Sequence, residues 1–292
     1  MKKQSLMLRI LYFPLVRIIL GGSAIFGIGL TLKKFLFAPL PGILGIEGDT
    51  AKSIEYSLSI LGVFVVYSLV FRLYERRKIT ELSGKHLIPE TLMGFLVGFL
   101  SISFVLLILF IIGHFQILAT YSATMLLLPL SAITLFALIE EILFRGILYR
   151  ITEDSLGSLI ALILTSIPFG VFHILNKYVN IYSIVCATLL GLLMGILYTL
   201  TKRLWLPISA HVGWNFAQVV FISNVSSITD YTGLFESRLE GSPLLIGGKF
   251  GIEDSLITIV LLGVLCAQFF IMIWKKGRLE KPFWKKPPHI VA

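Results

Sequence analysis

Six polar side chains stand inside long apolar runs of this sequence: Glu140, Glu141, Arg145, His173, His211 and Asn215. The set holds two carboxyl groups, two imidazoles that change charge near neutral pH, one amide and one permanent cation. Such groups can relay protons, hold a metal ion through a His₂Glu set, or activate a water while hydrogen-bond donors stabilise a developing oxyanion. A carboxylate at mid-membrane depth costs at least ~2.5–3.5 kcal/mol, so two adjacent ones in the run from Pro129 to Ile151 need stabilisation.

Helical spacing divides the pair. Glu141 and Arg145 are four residues apart, share a helix face and can form an ion pair. Glu140 lies about 100° round the same helix, which leaves it to face a polar cavity. His211 and Asn215 are also four apart and present their polar groups side by side. Phe169 precedes His173 by four residues, and Pro168 is placed to bend that helix towards the others. Structural readings compete with these: a Glu–Arg pair can serve only to lock helices, and a lone intramembrane His or Asn can be a packing residue. The combination on three separate segments favours a functional site.

The chain that must position these groups is 57% hydrophobic and only 14% charged over 292 residues. Soluble domains run about 45–50% apolar and about 25% charged. The expected fold is therefore all-α, a polytopic transmembrane bundle of about eight spans enclosing a polar cavity. The spans are read at 10–32, 53–73, 91–113, 124–151, 157–175, 181–200, 205–224 and 255–274. The segment 225–254, rich in Ser, Gly and acidic residues, reads as a single loop. No cleavable signal peptide is expected, because the first apolar segment is long and carries Arg9 and Arg17. Cys186 and Cys266 sit in apolar runs and read as buried hydrophobes.

The net charge of +9 does not point to nucleic acid, since the basic residues cluster at span ends beside lipid head groups. With alternating spans, one side collects 19 of the 25 Lys and Arg, among them Lys2, Lys3, Arg17, Arg77, Lys202 and Lys286. The positive-inside rule makes that side, with both termini, cytoplasmic. Counting along the helices leaves the site residues at depths differing by roughly 10–15 Å at ~1.5 Å per residue. That count predicts a cavity reached from the cytoplasmic side. A proton-relay transporter is disfavoured, because paired repeats with interrupted helices are not found.

Glu140-Glu141-x-x-x-Arg145, Phe169-x-x-x-His173 and His211-x-x-x-Asn215 resemble, in order, the three motifs of the CAAX-processing and bacteriocin-processing intramembrane proteases. This superfamily includes type II CAAX prenyl endopeptidases and lysostaphin-resistance-protein-A-like proteins. The resemblance covers residues 90–224 and divides the chain into N-terminal spans with a basic loop (1–89), a protease core (90–224), and a loop, last span and basic tail (225–292). It implies that Glu140 and His173 activate the attacking water, that His211 and Asn215 stabilise the oxyanion, and that Glu141, Arg145 and Phe169 support them. It leaves open a metalloendopeptidase with zinc on Glu140, His173 and His211, and an inactive scaffold that binds a partner through the same cavity. The implied substrate is a peptide or a membrane-anchored protein at a bacterial cytoplasmic membrane, as the run Gly247-Gly-Lys-Phe-Gly-Ile-Glu253 suggests. His-Glu-x-x-His and Gly-x-Gly-Asp, the marks of other intramembrane protease plans, are absent from the sequence.

Overall fold

The computed structural model describes residues 6–226 and 231–285. Lys2, Lys3 and Lys286, used in the charge count, lie outside the described residues. Eight long helices build the bundle: α1 (Pro14–Leu32), α2 (Gly48–Tyr74), α3 (Leu87–Ile111), α4 (Leu127–Glu141), α5 (Ser158–Phe172), α6 (Ile181–Thr201), α7 (Trp205–Ile222) and α8 (Leu256–Lys275). Seven helical segments among the described residues are long and apolar enough to cross a membrane, including Pro14–Ile43 and Ala123–Leu156. The expected seventh span is present as α7 but is not one of those seven. It carries Ser209, His211, Asn215 and Gln218, and protein encloses it along nearly its whole length. Such polarity is tolerated because α7 faces other helices rather than lipid.

The seam between α3 and α7 is close. A Cβ at Gly98 would overlap the Ala210 carbonyl, and one at Gly213 would overlap the Phe95 carbonyl. Small residues at such crossings let backbones approach where lipid gives no hydrophobic drive to association. The helix of α4 does not stop at Glu141. It continues as a π-helical stretch, Ile142–Tyr149, and then as Arg150–Leu156. Wide π turns of this kind are common at functional sites.

The helical bundle is as expected, and one small sheet accompanies it. Phe115–Thr120 (β1) pairs antiparallel with Phe235–Leu239 (β2), from Phe115 opposite Leu239 to Thr120 opposite Phe235. The segment 225–254 is thus not a plain loop, and it also contains short helical turns at Pro243–Ile246 and Ile252–Asp254. Phe115–Thr120 does not alternate cleanly, Phe235–Leu239 spans only five residues, and a two-stranded ribbon closed across more than a hundred residues leaves little local sequence signal.

The two ends of the bundle differ in chemistry. At one end Glu75 binds Arg17, Arg77 and Arg150, while Glu81 binds Arg77 and the Tyr67 hydroxyl. Lys202 reaches Glu153 at 2.6 Å there, and the backbone of Glu280 is bound to Ser158. The other end carries the β-ribbon, the turn after α5 and the segment leading into α8.

Burial alone would raise the carboxyl pKa values of Glu75 and Glu81, but the arginines facing them hold both below the ordinary glutamate range. A carboxyl group with a lowered folded pKa stabilises the fold fully above its unfolded pKa of about 4.3, and that stabilisation is lost as pH falls through the folded value. Thermal unfolding in detergent should therefore shift to lower temperature as the pH drops below about 5. Glu81→Gln, which leaves Arg77 with Glu75 as its remaining carboxylate and weakens the acceptor of the Tyr67 hydroxyl, should cost about 1–3 kcal/mol at neutral pH and flatten that acid dependence.

Candidate active site

Arg145 is 1% exposed and sits among three core helices. Its Nη1 donates to Glu141 Oε1 at 2.9 Å, the pair that the four-residue spacing predicts. Nη2 donates to the Gly191 carbonyl of α6 at 2.7 Å. The guanidinium lies 4.5 Å from the centre of the Phe169 ring on α5, a cation–π contact. Gly191 has to be small, since a Cβ there would stand 3.0 Å from the Phe169 side chain.

Glu141 has a second partner that spacing along one helix cannot reveal. Its Oε1 is 2.9 Å from His211 Nδ1 on α7. Ionised beside Arg145, it can only accept, so His211 donates through Nδ1 and turns Nε2 towards Glu140, whose Oε2 is 3.9 Å away. His173 is oriented in the same manner. Its Nδ1 is 2.9 Å from the Phe169 carbonyl, which can only accept, so the free Nε2 keeps its lone pair. Phe169 thus serves the site twice, through its ring and through its carbonyl. His173 stands just past the end of α5, at the start of a tight turn from His173 to Leu175 that completes the apolar segment Ser158–Leu175.

Glu140, His173, His211 and Asn215 line one cavity of about 150 Å³. Glu140 Oε2 is buried there without a hydrogen-bond partner in the protein. The depth mismatch expected from counting residues closes because α7 starts inside the bundle. Leu204 is fully buried, and its N–H donates to the Glu81 carbonyl at 2.9 Å. The cavity is also walled by Asn176, Val225, Ser226, Tyr231 and Glu253, which belong to the end opposite Arg17, Glu75 and Lys202. Residue counts mislead here because they treat every helix as starting at the membrane surface.

Sequence reasoning missed Glu253 as a member of this wall. It is buried, and its Oε1 accepts from Trp214 Nε1 at 2.8 Å and from Gln218 Nε2 at 3.2 Å. Its Oε2 accepts from the Ser226 hydroxyl. The signal was present in the run from Gly247 to Glu253, where Gly247, Gly248 and Gly251 all take positive φ and so build a specific turn. For zinc, no group of three His, Cys, Asp or Glu side chains among the described residues is gathered as a metal ion would require. The steps proposed below therefore use none.

The fold and this site define a polytopic membrane helix bundle with a carboxylate–histidine centre enclosed at mid-depth. Residues 122–217, from the turn before α4 to within α7, match the family model of type II CAAX prenyl endopeptidase Rce1-like proteins. That match is narrower than the 90–224 expected from the motifs. Over 113 residues the chain is 31% identical to the "Putative membrane peptidase YdiL" of Bacillus subtilis (strain 168). The alignment covers 39% of this chain and 42% of that protein, so less than half of the relative's length is matched. No solved structure matches the chain.

The two glutamates should separate in stability measurements. Glu141→Gln leaves Arg145 buried without its counter-charge and should cost about 3–5 kcal/mol in thermal unfolding in detergent. Glu140→Gln replaces a group whose Oε2 makes no hydrogen bond and only a 3.9 Å contact with His211, and it should shift the unfolding midpoint by no more than about 1 kcal/mol.

Proposed function

We propose that this protein is an intramembrane endopeptidase that hydrolyses a peptide bond with a water activated by Glu140 and His173. The observation that carries the reading is Glu140 Oε2, a buried acceptor without a protein partner, on the wall of a cavity shared with His173, His211 and Asn215. A water between Glu140 and His173 Nε2 gives up a proton as its oxygen attacks the scissile carbonyl. The oxyanion that forms is held by the Asn215 amide and by His211, which donates through Nε2 in its imidazolium form. That form also balances charge, since Glu140 and Glu141 together face the single cation Arg145. Protonated Glu140 then passes its proton to the leaving amine as the C–N bond breaks. Glu141 and Arg145 act by positioning: they fix His211, and Arg145 with Phe169 fixes the helix that presents His173.

Similarity to the Rce1-like family and to a protein named as a membrane peptidase supports proteolysis as the general class. The residue roles rest on the site geometry and the motif resemblance. Zinc has no place in these steps, and elemental analysis of purified protein with a chelator titration of cleavage checks that point.

Cleavage should be followed by comparing membrane proteomes of cells carrying the parent chain and the Glu140→Gln chain. Products present with the parent and missing with the variant identify the substrate, which the purified protein should then cleave. On that substrate Glu140→Gln should lower turnover by at least ~10²-fold. Asn215→Ala should lower kcat by about 10²–10³-fold with little change in KM. Undiminished cleavage by Glu140→Gln would remove the proposal and leave a partner-binding scaffold as the better reading.

A further inference from the structure

Glu253 is a buried carboxylate on the cavity wall that takes no part in the hydrolysis steps. It belongs to the tight turn Ile252–Asp254 ahead of α8. Its two oxygens serve different parts of the site. Oε1 accepts from Trp214 and Gln218, both on α7, at 2.8 and 3.2 Å. Oε2 accepts from the Ser226 hydroxyl, and the Ser226 carbonyl accepts from Asn176 Nδ2 at 3.3 Å. The backbone N–H of Asn176 donates in turn to the His173 carbonyl at 3.0 Å. A chain of hydrogen bonds through Ser226 and Glu253 thus joins the turn of His173 to the helix that carries His211 and Asn215.

Trp214 and Gln218 are four residues apart and share one face of α7. Asn215 lies about 100° round the helix from Trp214, on the face it shares with His211. His211 is held directly by Glu141. The Asn215 side chain has no hydrogen-bond partner of its own among the described residues, so its direction depends on the rotation of α7 about its axis. A helix gripped at two points on one face cannot turn, and Glu253 grips both. The turn that presents Glu253 is braced elsewhere. Asp254 Oδ2 accepts from Asn180, which caps α6, and from the Ser183 hydroxyl at 3.0 Å. The Ile252 carbonyl accepts from the Thr258 hydroxyl of α8 at 2.7 Å. Gly247 keeps the approach to this turn tight, since a Cβ there would overlap the Gly251 carbonyl.

We propose that Glu253 is a positioning residue for the hydrolysis. Through Trp214 and Gln218 it aims the Asn215 amide at the oxyanion, and through Ser226 and Asn176 it fixes the gap between Asn215 and His173. This rests on the hydrolase reading given above. The role needs accepted hydrogen bonds rather than charge. A glutamine at this position meets it, because its Oε1 accepts from Trp214 and Gln218 while its amide donates to the Ser226 hydroxyl. An alanine leaves the buried Trp214 indole N–H without an acceptor and frees α7 to turn.

Two measurements test it, and the first needs no substrate. Hydrogen–deuterium exchange of the purified protein in detergent should rise roughly fivefold or more in α7 and the His173–Leu175 turn on Glu253→Ala, with α2 within about twofold of the parent. Glu253→Gln should return both segments to the parent rates. An unchanged pattern, or an equal rise in α2, overturns the proposal. Where Glu253→Ala does not fold, Trp214→Phe removes the indole donor and should loosen the same segments. The second measurement is a double-mutant cycle with Asn215→Ala, read as turnover of an internally quenched peptide library. Glu253→Ala should lower turnover at least ~10-fold in the parent but less than about twofold in the Asn215→Ala background, because it acts through Asn215. Glu253→Gln should stay within about threefold of the parent. Equal losses in the two backgrounds, or a glutamine variant as slow as the alanine one, overturn the proposal. If Glu140→Gln cleaves the library as well as the parent does, it is the hydrolase reading that fails, and the exchange result still reports whether Glu253 holds α7.

Discussion

The structure depends on one buried cation. Arg145 sits at mid-depth in an apolar bundle, where an unpaired charge would cost several kcal/mol even after relaxation. Three groups on three helices meet that cost: the Glu141 carboxylate on α4, the Gly191 carbonyl on α6 and the Phe169 ring on α5. Glu141 extends the set to α7 through His211. The four core helices therefore cannot shift independently without uncovering a charge. Once Arg145 is fixed, Glu141 is held between it and His211, His211 turns Nε2 to the cavity, and Glu140, one residue back on the helix, is left on the cavity wall.

The N-terminal helices belong to the same design, although the family match does not reach them. The Tyr67 hydroxyl lies 2.9 Å from the Gly146 carbonyl, and Arg150 Nε donates to that same oxygen at 2.8 Å. Gly146 is in the π-helical stretch just past Glu141 and Arg145. Tyr67 also meets Glu81, which Arg77 holds in place. The basic loop between α2 and α3 is thereby anchored to the segment that carries the site. Gly146 has no side chain to obstruct this, and a Cβ there would stand 3.1 Å from the Tyr67 ring.

Much of this was legible in the sequence, for physical reasons that also mark where legibility stops. Composition announced the bundle, since a chain so apolar has no soluble alternative. Four-residue spacing announced the contact of Glu141 with Arg145, because it depends on helix geometry alone. It could not announce the contact of Glu141 with His211, seventy residues away, because periodicity shows which face a residue occupies and not what packs against it. Gly191 was missed for the same reason: its value lies in a carbonyl and in missing volume, neither of which is a pattern. Glu253 and the β-ribbon were missed because turns have no period. The closing of the depth gap between the site residues was missed because α7 begins at a turn buried inside the bundle.

The composition of α7 shows how the chemistry and the fold constrain each other. A bilayer excludes water and polar side chains alike. Helix α7 carries Ser209, His211, Asn215 and Gln218, and their polarity makes it the least membrane-like of the eight helices, so it must be enclosed. The glycines at the seam with α3 allow that enclosure, drawing α3 close enough to cover it on one side while α4 and α6 cover others. The polar side of the cavity is completed by the segment after α7, where Asn176 donates to the Ser226 carbonyl and the Ser226 hydroxyl donates to Glu253. The loop that sequence patterning passes over is thus required by the helix that patterning identifies: a polar helix buried in an apolar bundle needs both a close-packed cover and a wetted end.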